Sequence, residues 1–486
     1  MTPLRIVFIA SEATPFAKTG GLADVAGSLP NALRELNVDI RVILPGYRQV
    51  FEHGLRHERV FPSLNTLLGS QRLTFQVRKL LLENTAPIYV IDREDMFDRP
   101  HLYGNADGDY YDNAERFIFF CRAVVALMHS WDFAPQIIHC NDWHTGLIPA
   151  YMQSDPAFRQ IKTLFTLHNL GYSGLFSSDK FALTGLDASH YQPNGLEFYG
   201  KWSMLKAGLV YSRAVSTVSP TYAREIQTPE YGKGLDGVLR SRQASVFGLL
   251  NGVNYQMWNP ETDALIPARF TPDDLTGKRI CKAALIRACQ LDESLMERPV
   301  IGIVSRLDIQ KGIDLIIPIL SELIESLKVG VVILGTGDGE MQQSLQRAGE
   351  PYPGAFAFIQ RFDEELARKI LAGADMLLVP SRYEPCGLTQ LYAMKYGTVP
   401  VVRATGGLND TVSEVNERTG DGTGFAFKHA DATDFLAAIQ KAVSVYRMPP
   451  IWKRVQFNGM SMDFSWEKAA QSYLSLYQEL MMDSSP

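Results

Sequence analysis

The chain has 486 residues, 53 of them acidic against 47 Lys and Arg, for a formal net charge of -6. Its length exceeds one ordinary hydrophobic core, so two domains are expected. The acidic balance leaves no basic footprint for nucleic acid or an anionic membrane. Any phosphate-bearing ligand therefore has to be held by local cations.

Apolar runs with strand character fall at residues 6–10, 40–44, 88–91, 136–140, 162–167 and 214–218, and again at 300–304, 329–334, 355–360, 376–380 and 399–402. They alternate with helical stretches such as 22–36, 275–289 and 408–415. This alternation is the signature of parallel sheets covered on both faces, so the predicted class is α/β, each half a doubly wound sheet. The turn-rich Leu249-Leu250-Asn251-Gly252-Val253-Asn254, followed by the irregular Trp258-Asn259-Pro260, marks a boundary. The expected division is 1–250, 251–460 and a closing segment 461–486. That segment carries an amphipathic helix over 464–482 with Trp466, Ala469, Tyr473, Leu476, Tyr477 and Leu480 on one face, placed to pack back on the N-terminal domain.

The first apolar run is far shorter than a signal peptide's hydrophobic region with its flanks, and no stretch approaches bilayer-spanning length. Cys121, Cys140, Cys281, Cys289 and Cys386 are scattered, odd in number and without metal spacing. A cytoplasmic protein without a membrane partner is expected.

Ligands of open parallel sheets bind at the carboxyl ends of strands. There the chain repeats a phrase, Thr19-Gly20-Gly21-Leu22 with Asp24 and Thr405-Gly406-Gly407-Leu408 with Asp410. A glycine pair feeding a helix lets backbone approach a ligand and offers helix-start N–H groups to an anion. Pro380-Ser381-Arg382-Tyr383-Glu384-Pro385-Cys386-Gly387-Leu388-Thr389 follows another strand; Pro385 suits a helix's first turn, which would aim the amides of Cys386, Gly387 and Leu388 at a ligand beside Glu384. Arg306 and Lys311 follow residues 300–304 with a spacing that suits a loop around a diphosphate. His139, Asp142 and His144 lack a recognised zinc spacing, and no metal is expected. Leu334-Gly335-Thr336-Gly337-Asp338-Gly339 lacks the third glycine and acidic partner of a dinucleotide fingerprint.

Together, Lys18-Thr19-Gly20-Gly21-Leu22-Ala23-Asp24, Asn141-Asp142-Trp143-His144, His168-Asn169, Ser305-Arg306-Leu307 with Lys311-Gly312, and Glu384-Pro385-Cys386-Gly387-Leu388 resemble the bacterial glycogen synthases and plant starch synthases of glycosyltransferase family 5. The resemblance implies GT-B architecture, two Rossmann-like domains facing a central cleft. It implies an N-terminal acceptor-side domain and a C-terminal nucleotide-sugar domain. It also implies ADP-glucose as donor, an α-1,4-glucan (glycogen or maltooligosaccharide) as acceptor, retention of the anomeric configuration, and neither metal nor cofactor. His168, Arg306, Lys311 and Glu384 then carry catalysis. His168, by its carbonyl or its ring, stabilises positive charge at the anomeric carbon, and the two cations support departure of ADP. Donor contacts are expected from Lys18, Gly20, Gly21, Asp142, Asn169, Asn251, Phe362, Cys386, Gly387, Leu388 and Thr389. Gly335 and Gly337 are expected as donor contacts of secondary rank. Phe362 either stacks on adenine or packs in the core, and Tyr103 is either a platform for acceptor sugars or a packed loop residue, with Trp143 beside the acceptor. Position 392, a glutamate in many retaining GT-B enzymes, is tyrosine, as in family 5. No carboxylate nucleophile is evident, which favours front-face transfer over a covalent intermediate. A monomer or small homo-oligomer is expected.

Overall fold

Strands that are apolar along their whole length need cover on both faces, and the chain supplies it twice. The computed structural model describes residues 3–105 and 108–482, so the first two and last four residues of the expected terminal segments lie outside the described part. The chain forms two compact units, Met1–Gly252 joined by Trp466–Pro486, and Val253–Ser465.

In the N-terminal unit the strands are β1 (Leu4–Ile9), β2 (Val38–Pro45), β3 (His57–Leu68), β4 (Gln71–Leu80), β5 (Ile88–Asp92), β6 (Ile137–Asn141), β7 (Lys162–Leu167), β8 (Ala214–Thr217) and β9 (Val246–Gly248). They make one nine-stranded sheet in the order β9-β8-β7-β6-β1-β2-β5-β4-β3. The run from β9 to β5 is parallel, and β4 and β3 add antiparallel. The chain builds outward from β1 to β5 and then returns to the other side of β1 as β6, so connections switch direction between β1 and β6. The β3–β4 hairpin was not evident in the sequence pattern because its outer strand is an edge: β3 is mostly exposed, carries Pro62 and has register shifts.

Helix α1 (Gly21–Glu35) lies against the closing helix Trp466–Met482. The latter buries Trp466, Ala469, Ala470, Tyr473, Leu476, Tyr477 and Leu480, the predicted face with one alanine added. Its start is pinned at Gly252, where an added Cβ would stand 2.6 Å from Trp466 Cα. Its middle is tied by a buried chain: Tyr477 Oη lies 2.8 Å from His139 Nδ1, and His139 Nε2 lies 2.6 Å from Thr166 Oγ1, which is bonded to Ser216 Oγ.

The C-terminal unit contains β10 (Val300–Val304), β11 (Gly330–Leu334), β12 (Phe356–Ile359), β13 (Met376–Val379), β14 (Val399–Arg403) and β15 (Phe425–Phe427). They form a six-stranded parallel sheet, β12-β11-β10-β13-β14-β15. Here the switch lies between β10 and β13. Two local expectations fail. The helix after the second glycine pair covers Gly406–Thr411, not 408–415, because the following residues extend and pair with another segment: Val415 N donates to Gly424 O at 2.9 Å. Pro385 is outside the helix, which begins at Thr389, because left-handed Gly387 (φ 71°) turns the chain first.

Tyr477→Phe removes one partner of buried His139 and is expected to destabilise the N-terminal unit by about 1–3 kcal/mol. Denaturant unfolding measures it; an unchanged midpoint would contradict the role given to this chain of hydrogen bonds.

Candidate active site

In the N-terminal unit the predicted residues gather at the carboxyl ends of β1, β6 and β7, flanking the switch. Asp142 follows β6 with φ 55°, which turns its carboxylate back on the chain: Oδ1 accepts the His168 N–H at 2.7 Å. Burial pushes the Asp142 carboxyl up to about 7; the N–H groups of His168 and Asn169 oppose the shift, and the charge of Glu12 adds to it. His168 is held from its other end, Nε2 lying 3.0 Å from Asn141 Oδ1. The Asn141 amide donates its own Nδ2 to Ile9 O, so its oxygen faces the ring and Nε2 carries the proton. Burial lowers His168 to about 3. The ring is neutral at physiological pH, and the carbonyl beside it accepts no hydrogen bond among the described residues. Asn169 closes a turn by accepting Gly171 N at 2.8 Å.

The loop after β1 is organised by a residue the sequence reading missed. Glu12 is 4% exposed. Its Oε2 accepts Thr19 N at 2.6 Å and Gly20 N at 3.1 Å, and its Oε1 accepts Thr19 Oγ1 at 2.6 Å and Tyr103 Oη at 2.7 Å. A resident carboxylate thus fills the amide concavity that the sequence suggested would meet a ligand. What the loop still presents is Lys18, half exposed and 2.7 Å from Asp24, and a bare glycine surface. A Cβ on Gly20 or Gly21 would meet nothing within 4 Å, so the fold itself does not require glycine there.

The second glycine pair is different in kind. Side chains on Gly406 and Gly407 would overlap the carbonyls of Glu384 and Cys386, and Gly407 N already donates to Glu384 O at 3.0 Å. The repeated phrase therefore marks an open surface in one copy and close internal packing in the other. Gly335 and Gly337 likewise pack on the carbonyls of Ser305 and Leu307, where an added Cβ would overlap them.

Tyr103 and Trp143 are not free platforms. Both rings stack on His144, at 4.6 and 3.9 Å between centroids, and Trp143 also meets Phe117 and Phe176. The three residues that a metal reading would join are engaged separately: His139 by Tyr477 and Thr166, Asp142 by His168, His144 by Ser11. Asn251, at the end of this unit, is 6% exposed, and its Oδ1 has no hydrogen-bond partner.

In the C-terminal unit, β10 and β13 are neighbours, so the loops that follow them run side by side. They are fastened together. Arg382 grips Asp314 through both nitrogens at 2.7 Å, its N–H donates to Gln310 O at 2.7 Å, and Gln310 Nε2 donates to Tyr383 O at 3.2 Å. Gly312 (φ 67°) lies where a Cβ would overlap Pro380 O. This fastening delivers Lys311 Nζ to Glu384 Oε2 at 2.6 Å, and Ser381 Oγ donates to the same oxygen at 2.9 Å. The Glu384 side chain is 8% exposed and that of Lys311 21%. Arg306 stands at the mouth of the first loop, 56% exposed, 3.3 Å from Asp308. Gln390 Nε2 donates to the carbonyls of Cys386 and Gly387 at 3.2 and 3.0 Å, shaping the turn whose Leu388 and Thr389 begin the next helix. Phe362 is 88% exposed, so it does not pack in the core. Tyr392 stacks flat on Trp258 at 4.0 Å.

No described helix is long and apolar enough to cross a membrane. Sequence comparison matches residues 5–241 to the starch synthase catalytic domain and residues 292–454 to group 1 glycosyl transferases. The chain is 43% identical to a glycogen synthase of Syntrophotalea carbinolica over 98% of this chain and 99% of that one, and 44% identical to glycogen synthase 2 of Nitrosococcus oceani over 98% and 97%. Among solved structures, the catalytic domain of starch synthase IV from Arabidopsis thaliana superimposes with a TM-score of 0.90 at 32% identity, covering 99% of this chain and all of that one. Sucrose-phosphate synthase from Thermosynechococcus elongatus, at 18% identity and a TM-score of 0.62 over 99% of this chain and all of that one, shares the fold. A glycine-marked loop after the first strand, a neutral histidine beside a buried aspartate, and a lysine–glutamate pair at a second switch point thus occur in a chain that belongs to the glycogen synthase and starch synthase family of retaining GT-B glycosyltransferases.

Proposed function

We propose that this chain elongates an α-1,4-glucan by transferring glucose from ADP-glucose to a non-reducing 4-hydroxyl. The observation that carries the reading is the Lys311–Glu384 pair, held at the switch of the C-terminal sheet with Arg306 on the same loop. The Arabidopsis structure has ADP and acarbose bound, which supports an ADP-bearing donor for the present chain.

In this reading the C-terminal unit takes the nucleotide sugar. Arg306 and Lys311 bind the diphosphate, where negative charge grows as the glycosidic bond breaks, and a cation aimed there stabilises the transition state more than the ground state. Glu384 fixes Lys311 through one oxygen and turns the other toward the glucose hydroxyls. Cys386, Gly387, Leu388 and Thr389 line the sugar and phosphates, and exposed Phe362 stacks on the adenine. The N-terminal unit serves the acceptor side, and Lys18, Gly20, Gly21, Asp142, Asn169 and Asn251 are its proposed donor contacts. His168 is neutral, so it places no positive charge beside the oxocarbenium-like carbon; its carbonyl turns a partial negative charge toward it. The acceptor hydroxyl attacks from the face that ADP leaves, and the departing phosphate takes its proton. Tyr103 and Trp143 border the acceptor with the ring surface that His144 leaves open. The reaction is assigned to the cytoplasm, in agreement with five buried cysteines that form no disulfide among the described residues, and to a monomer or small homo-oligomer.

Glu384→Ala or Lys311→Ala is expected to lower kcat by about 10²–10³ with the fold retained; near-wild-type turnover would remove these roles. Incubation with maltooligosaccharide and either ADP-glucose or UDP-glucose, followed by product-length analysis, is expected to show elongation mainly from ADP-glucose, and faster extension from UDP-glucose would reject the donor assignment.

The raised Asp142 pKa also predicts a stability profile. The folded state holds this proton more tightly than the unfolded chain, so the associated stability is present below about pH 4 and is lost as pH rises through about 7. Asp142→Asn removes this loss. Thermal unfolding from pH 4 to 8 is expected to shift the difference between variant and wild type in the variant's favour as pH rises, and a difference that does not change with pH would contradict the burial argument.

A further inference from the structure

Glu12 is more than a filled hydrogen-bonding site. Both of its oxygens accept two bonds, and three of the four donors belong to Thr19 and Gly20, immediately after Lys18. The fourth is Tyr103, whose single hydroxyl proton cannot serve both Glu12, at 2.7 Å, and Ser11 Oγ, at 2.8 Å. Giving it to the carboxylate leaves the Tyr103 oxygen to accept from Ser11, whose own oxygen, 3.0 Å from His144 Nδ1, accepts from that ring. The protons then run in one direction, His144 to Ser11 to Tyr103 to Glu12, and end on the loop. His144 is clamped between Tyr103 and Trp143, so the chain starts from a fixed ring.

We propose that Glu12 is a positioning residue for donor binding: it acts as the internal anion of the loop bearing Lys18 and Gly20, and Tyr103, held by Ser11 and His144, sets its orientation. This rests on the reading that Lys18 and the glycine surface meet the nucleotide sugar. A carboxylate that already satisfies the Thr19 and Gly20 amides orders the loop before any donor arrives, which removes an ordering cost from binding. It also withholds those two amides from the donor's phosphates, leaving the Lys18 ammonium as the loop's contribution to charge.

The test compares Glu12→Ala, Glu12→Gln, Thr19→Val and Lys18→Ala in the full chain, by donor and acceptor kinetics together with thermal unfolding. Glutamine can keep its oxygen on the two backbone N–H groups and turn its NH2 toward the Thr19 and Tyr103 hydroxyls, which reverse to accept it. Glu12→Ala is expected to raise the donor KM about tenfold or more while the acceptor KM stays within about twofold; Glu12→Gln is expected to restore most of the loss, and Thr19→Val to show the same defect in smaller measure. An unchanged donor KM in Glu12→Ala alongside a raised one in Lys18→Ala would overturn the proposal alone. So would equal defects in the Ala and Gln variants that follow only their unfolding midpoints. Unchanged donor kinetics in Lys18→Ala would overturn the donor reading of the loop, and the proposal with it. Should Glu12→Ala fail to fold, Glu12→Gln and Thr19→Val decide: a donor-specific defect in Thr19→Val with recovery in Glu12→Gln supports the proposal, and its absence overturns it.

Discussion

The contact on which the proposed chemistry turns is the Lys311 ammonium on the Glu384 carboxylate at 2.6 Å, the carboxylate nearly buried and the ammonium partly so. Removing one partner would leave a nearly buried charge uncompensated, which costs more than the pair contributes when whole. Neither side chain finds the other through its own loop alone. They meet because β10 and β13 are neighbours across the switch of the sheet and because Arg382, Asp314, Gln310 and Gly312 fasten the loops that follow them. Gly406 and Gly407 press on the same segment from the end of β14, so the loops after three neighbouring strands fix where Glu384 stands.

The N-terminal unit solves a different electrostatic problem. Its buried groups are settled mostly by loss of water: the His168 ring is kept neutral and the Asp142 carboxyl is raised to about 7. Glu12 remains in the same neighbourhood with two backbone amides and two hydroxyls as its solvation. These groups are held by internal hydrogen bonds, and the Lys18 ammonium on the glycine loop stands out at the surface, beside Asp24.

Much of this was legible in the chain. Residues 162–167 and 300–304 are strands with the predicted bounds, since runs with no polar face report burial on both sides. Candidate site residues were legible because polar side chains follow such runs at strand ends, where Asp142, His168 and Arg306 stand. The β3–β4 hairpin escaped because an exposed edge strand lacks that apolar signature. Glu12 escaped for another reason: a single carboxylate between Ser11 and Ala13 carries no periodic or spacing signal, and its partners lie seven, eight and ninety-one positions away. The repeated Thr-Gly-Gly-Leu was visible but not its meaning. Whether a glycine serves a ligand or a neighbouring carbonyl depends on what stands opposite it, which only the tertiary structure reveals.

The central claim, that Lys311 and Glu384 act on the donor as one unit, is tested most directly by a double-mutant cycle in kcat/KM for ADP-glucose with Lys311→Ala, Glu384→Ala and the double variant. The account predicts a double variant about as impaired as the worse single one, since either substitution already breaks the unit. Losses that simply add would contradict it.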